Sequence, residues 1–129
     1  MASTTAPGMR RRLAWGAFVL ALLVQLAVLY APSAPSATPG IPGLDKLIHA
    51  GIFLLPALLG MLAGIRPAWL GAALAVHAVA SEVAQHLLLP ERSGDVADAV
   101  ANLVGVGLGL VLGAVLRAAT RHRAARAAR

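Results

Sequence analysis

The chain contains no cysteine, which excludes disulfides, thiolate nucleophiles and cysteine-ligated zinc, and leaves the redox compartment unread. Charge is scarce: only 12% of the 129 residues are charged, and five of them are acidic. Aromatic residues amount to 4%, so a basic surface on this chain has few rings on which to stack bases. Apolar residues fill the space instead, at 59% with a mean hydropathy of +0.79. A small soluble domain buries only about 60% of the surface its unfolded chain exposes. So short a chain cannot hide that much apolar surface from water. Lipid is the natural solvent.

The net charge of +6 does not signal nucleic acid. Nine of the eleven cations are Arg10, Arg11, Arg12, Arg66, Arg117, Arg121, Arg123, Arg126 and Arg129, each beside the end of an apolar run. That placement reports membrane topology.

Four apolar runs predict an all-α, integral membrane four-helix bundle, with spans near 13–31, 47–65, 67–89 and 96–116. Residues 1–12 form a basic N-terminus. The first run competes with a signal-peptide reading, but it exceeds the usual h-region, and Pro32 and Pro35 spoil a small-residue cleavage site. A retained helix is the expectation. Residues 32–44 carry four prolines and two glycines, which predicts an extended linker outside the membrane. Asp45 is the expected N-cap of the second helix, and Pro56 should kink it. Arg66-Pro67 enforces a tight turn, with Pro67 preset for the next helix. Pro90 stops the third span, and Asp95 with Asp98 opens the fourth as a pair resembling a capping box. A basic tail follows over 117–129. Placed on alternating sides, the nine arginines share one face against Lys46 and Arg92 on the other. The positive-inside rule then makes both termini cytoplasmic, an N-in/C-in protein of the bacterial cell membrane.

The polar side chains converge on one depth. Asp45 and His49 are four residues apart, and Glu82, Gln85 and His86 follow at helical spacing. Asp95, Asp98 and Asn102 make a third stripe. Glu82 and Asn102 each lie about 10 Å from the outer ends of their helices at about 1.5 Å per residue. An ionisable residue within the membrane is by default a functional hypothesis, because leaving it there unpaired is costly. Against that, Asp45 and Asp95 serve as caps, Asn102 as interhelical glue, and Lys46 and Arg92 as headgroup anchors on the blander reading. His77, deep and apart from the others, reads as a packing histidine. Below Asn102, Gly105, Gly109 and Gly113 form a doubled G-x-x-x-G that lets another helix approach closely, here expected within the bundle.

Read together, Asp45-Lys46-x-x-His49-x-x-x-Phe53, Glu82-x-x-Gln85 and Arg92-x-x-Asp95-x-x-Asp98-x-x-x-Asn102-x-x-Gly105 resemble the VanZ-like family of small bacterial membrane proteins. The resemblance covers about residues 44–116, leaving the first span to match by hydropathy. It implies a VanZ-like domain of three spans over 45–116. The family is named for a protein associated with low-level resistance to the glycopeptide teicoplanin, and that association concerns the family rather than this chain. Its biochemical activity is not established, so the resemblance implies a location and a theme, not a reaction.

Three functions compete. The first is binding of an envelope component through the outward cluster of Asp45, Lys46, His49, Glu82, Gln85, Arg92, Asp95, Asp98 and Asn102. The ligand would be a lipid-linked cell-wall precursor, a lipid headgroup or a membrane protein partner, a second copy included. The second is an intramembrane hydrolase or phosphotransferase acting on lipid, using His49, Asp45, Glu82 and His86, or a metal held with Asp98. No nucleophile motif or H-E-x-x-H signature accompanies it, so no metal and no cofactor are expected. The third is a polar clamp that only sets helix packing.

Overall fold

The computed structural model of the chain describes residues 7–32, 41–89 and 95–129. They fold as four helices: α1 (Pro7–Tyr30), α2 (Leu44–Ala63), α3 (Pro67–Leu88) and α4 (Val96–Ala127). Each is long and apolar enough to cross a membrane, which marks a multi-pass, all-α membrane protein. Most of the proline-rich linker (33–40), the polar loop with Arg92 (90–94) and residues 1–6 lie outside the described residues.

Two helices outrun their apolar segments. α1 begins at Pro7, so the Arg10–Arg12 triplet is helical; proline suits a first helical position, where an N–H would go unused. α4 continues for 32 residues through the basic segment expected as a tail, because alanine and arginine are both strong helix formers. At about 1.5 Å per residue it is about 48 Å long, well beyond an apolar core of about 30 Å.

α2 starts two residues earlier than Asp45 would dictate as a cap. Its N-cap is Gly43, at a left-handed φ of 77°, and Asp45 lies inside the first turn. The helix runs unbroken through Pro56. At its far end Gly64, with φ 97°, closes the turn. Its N–H donates to the Met61 carbonyl while Ile65 donates to that of Gly60, both at 3.0 Å. These crossed bonds satisfy two of the carbonyls that the last turn leaves free. Arg66 is extended and Pro67 opens α3, as a residue before proline requires.

α2 is the hub. It packs most extensively on α4, then on α1, and less on α3, whereas α1 touches α3 thinly and α4 not at all. Consecutive helices run antiparallel and α2 and α4 run parallel, so the start of α1 and the end of α4 share one end of the bundle. Phe53, Ala57, Met61, Leu70, Leu74, Ala78 and Val106 form the core, joined by Phe18 and Leu29 of α1. Large apolar side chains such as Leu23, Trp69, Val76, Leu87 and Val111 point outward, as a lipid-facing surface requires.

The lower half of the α2–α4 contact is made by glycine. A Cβ on Gly105 would run into the Ala50 carbonyl, and one on Gly113 into the Met61 side chain. One on Gly109 would meet the Leu54 carbonyl and come within 2.6 Å of the Ala57 Cβ. Backbone lies against backbone here, as the doubled G-x-x-x-G predicts. Arg117 closes this end, donating to the Ile65 carbonyl at 3.3 Å.

Candidate polar site at one end of the bundle

The opposite end of the α2–α4 contact is polar. Lys46 lies one turn into α2, facing the start of α4. Its Nζ donates to Asp98 Oδ1 at 2.6 Å, to Asp45 Oδ2 at 3.0 Å and to Asp95 Oδ2 at 3.4 Å. The Asp98 contact is the most enclosed, since the Asp98 side chain is only 13% exposed while those of Asp45 and Asp95 are 49% and 52% exposed. Three carboxylates therefore surround one ammonium. The lysine is itself the cation of this acidic cluster, and among the described residues no group of three or more His, Asp or Glu is arranged to hold a metal ion.

One turn deeper, His49 takes over. Its Nδ1 lies 3.0 Å from Asn102 Oδ1 and 3.5 Å from Glu82 Oε1. Asn102 Nδ2 donates to Glu82 Oε1 at 2.9 Å and to the Ala78 carbonyl at 3.5 Å. A carboxylate and a carbonyl both demand donors, which fixes the amide orientation and leaves Oδ1 to accept from His49. Nδ1 thus carries the proton. Nε2 of the same ring faces Asp98 Oδ2 at 4.0 Å. Glu82 and Asn102 are buried, and each is satisfied inside the bundle, as groups out of reach of water must be.

Glu82 also reaches the start of α4, where its Oε2 accepts from the Asp95 N–H at 3.4 Å. Asp95 caps α4 as expected, its Oδ1 accepting from Ala97 N–H at 3.0 Å. The reciprocal half of the capping box is not made by Asp98, whose side chain is turned to Lys46. Glu82 of α3 supplies it across the helix interface. The Asp95 carboxyl is held below its usual range, first by the Ala97 N–H and next by the Lys46 ammonium.

The sequence-derived cluster is therefore brought together in large part. Asp45, Lys46, His49, Glu82, Asp95, Asp98 and Asn102 form one connected network. Gln85 does not join it. Its Nε2 donates to the Leu29 carbonyl at 2.8 Å and fastens the end of α1 to α3. One helical turn of α3 gives Glu82 and Gln85 a common side, yet α1 lies close enough to capture the longer amide. His86 points outward, and Arg92 lies outside the described residues. His77 stays apart, tilted on Phe53 with ring centroids 5.5 Å apart and 3.4 Å from the Tyr30 hydroxyl. The Tyr30 contact was not legible in the sequence, nor was the burial of Gln25, although Gln25 is the one polar side chain within the first apolar run.

Comparison with protein-family models, with curated proteins and with solved structures finds no match for this chain.

Proposed function

We propose that the chain is a VanZ-like multi-pass protein of the bacterial cell membrane, with both termini in the cytoplasm, whose polar end binds an envelope component. The orientation rests on the arginines. Arg10–Arg12, Arg66 and Arg117 belong to the end of the bundle that holds the termini, and the positive-inside rule assigns that end to the cytoplasm. The acids belong to the other end, which then faces the cell exterior. A reporter fused after Arg129 that is active only in the cytoplasm tests this, and an inactive, well-expressed fusion would refute it.

The binding reading is carried by the connected network from Lys46 to Glu82, which spans α2, α3 and α4 and opens to the surface at Asp45 and Asp95. The network also divides the labour. Lys46 is already engaged by three carboxylates, so an anionic group on the ligand falls to Arg92. Asp45 and Asp95 present acceptors suited to hydroxyl, amide or ammonium groups. A lipid-linked cell-wall precursor, with phosphate, sugar hydroxyls and peptide amides, offers both kinds.

The test uses the full chain in lipid nanodiscs with such a precursor as probe. Arg92→Glu should weaken binding about tenfold or more, as loss of a charge-assisted contact does. Undiminished binding by a well-folded Arg92→Glu protein would sink the reading. One observation favours the plainer clamp: Glu82 and Asn102 are buried and satisfy each other. On that reading, substitutions in the network lower stability and leave binding per folded molecule unchanged.

A further inference from the structure

We infer that a lipid-facing slot between α1 and α2 binds one chain of an ester-linked lipid, with Gln25 donating to its carbonyl. The slot is a cavity of about 250 Å³ walled by Ala17, Ala21 and Gln25 of α1 and by Ile52, Leu55 and Leu59 of α2. Ala17 and Ala21 stand four residues apart on one helix face, and their short side chains leave the interface open there. The lining is apolar except at Gln25. That side chain is fully buried, and neither its Nε2 nor its Oε1 has a hydrogen-bond partner.

An orphan amide in a hydrocarbon setting is costly, since no water is at hand to satisfy it. Whatever fills the slot should therefore be apolar along most of its length and bring a hydrogen-bonding oxygen to one place. Size narrows the choice. The cavity far exceeds a water's share of liquid volume, about 30 Å³, yet falls below the roughly 300–1,000 Å³ of pockets for drug-sized molecules. An α-helix with side chains is about 10–12 Å across and does not fit. The walls run along nine residues of α1, from 17 to 25, and their eight steps span about 12 Å at about 1.5 Å per residue. That shape takes a single extended hydrocarbon chain.

Polarity along the slot agrees. Gln25 and Ile52 form the end nearer Tyr30 and Leu44, towards the bilayer surface, while Ala17 and Leu59 lie deeper. A leaflet lipid enters with its ester linkage at the upper end and its tail below, and a turn of the Gln25 side chain, which protein atoms otherwise cover, brings its amide to the carbonyl. The slot lies on the α1 flank of α2 and has no wall from α4. It is thus separate from the Lys46–Glu82 network, and either proposal can fail alone.

The experiment is native mass spectrometry of the full chain in mild detergent, titrated with a diacyl phosphatidylglycerol and with its dialkyl ether analogue. The wild type should retain one diacyl lipid and bind the ether analogue about two- to tenfold more weakly, the range expected for one hydrogen bond. Gln25→Leu should bind both equally while its thermal stability is kept or raised, because it removes the orphan amide. Ala21→Phe should fill the slot and lose both lipids. Equal affinity of the wild type for ester and ether overturns the proposal, as does an ester preference that survives Gln25→Leu. A wild-type dimer that Ala21→Phe splits, with no lipid retained, would instead make the slot a contact between copies. Should Ala21→Phe fail to fold, the Gln25→Leu comparison decides alone.

Discussion

The two halves of the α2–α4 interface solve the same problem by opposite means. Near Lys46 the helices are joined by side chains: an ammonium among three carboxylates, then an imidazole, an amide and a buried carboxylate. From Ala50 down to Met61 they are joined by the absence of side chains on α4, with Gly105 and Gly109 admitting the backbone of α2 and Gly113 the Met61 side chain. In lipid no hydrophobic force drives helices together, so association rests on close packing and on hydrogen bonds. The glycine half supplies the first over a long smooth surface. A smooth surface tolerates sliding by a turn, and the polar half forbids it, because each donor has its acceptor at one register only. Packing holds the pair, and polarity fixes the register.

Breaking the glycine half should have the largest effect. A Cβ at Gly105 would collide with the Ala50 carbonyl, a backbone atom that cannot swing aside as a flexible side chain would. Gly105→Ala is expected to cost about 3 kcal/mol or more, at or above the upper end of ordinary overpacking, and Gly105→Leu should abolish the folded state. Gly107 has nothing near its virtual Cβ, so Gly107→Ala is the matched control and should be neutral. Unfolding titrations in detergent measure all three. A mild Gly105→Ala would mean that α2 and α4 can separate cheaply, and the contrast between the halves would lose its basis.

The polar half should respond less, and in a coupled way. Asn102→Ala leaves Glu82 Oε1 without its best donor, and Glu82→Leu leaves Asn102 Nδ2 with only the longer bond to Ala78. Each substitution is expected to destabilise by about 1–3 kcal/mol, the cost of stranding a buried polar group. The double variant should lose less than the sum, with a coupling of about 0.6 kcal/mol and at most about 1.7 kcal/mol, the mean and the maximum measured for hydrogen bonds between membrane helices. Strict additivity would show that the two side chains act independently. The halves would then differ in composition but not in kind.

Much of this was legible in the sequence, and the misses share a cause. Apolar runs bounded by proline and arginine locate all four spans, because lipid imposes length and composition on each helix separately. Helical spacing brings Asp98, Asn102 and Gly105 to one stripe, and the network and the glycine contact both lie along it. Which neighbour a side chain selects depends on how helices sit against each other. Gln85 shares a side with Glu82 yet bonds the Leu29 carbonyl, because α1 ends beside it. Asp45 is a good capping residue, but the left-handed Gly43 starts α2 first and frees the carboxylate for Lys46. The helical state of residues 117–127 was within reach of propensity alone. Their basic charge bears on topology and not on conformation.

The smallest effect expected lies at the outer end of the polar half, where Asp95 opens α4. Its carboxylate accepts from the Ala97 N–H and from Lys46, and both contacts favour the charged form, which places its folded-state pKa below the usual value. A depressed acid stabilises the fold where the carboxylate is ionised in both states. That contribution is present above the unfolded pKa, near 3.8, and is lost as pH falls through the lower folded value. Because Asp95 is surface-exposed, water and salt screen it and the effect should be slight. Asp95→Asn keeps a capping oxygen but cannot titrate. Wild type minus Asp95→Asn in Tm should therefore be small and positive at pH 6 and should shrink towards zero as pH drops below 4. Asp95→Ala loses the cap as well and should be the less stable variant throughout that range. A difference that grows on acidification would reverse the sign and mean that Asp95 is destabilised by its acidic neighbours. Lys46 would then fail to balance the carboxylates around it, and the polar half would be held together by Glu82, His49 and Asn102 alone.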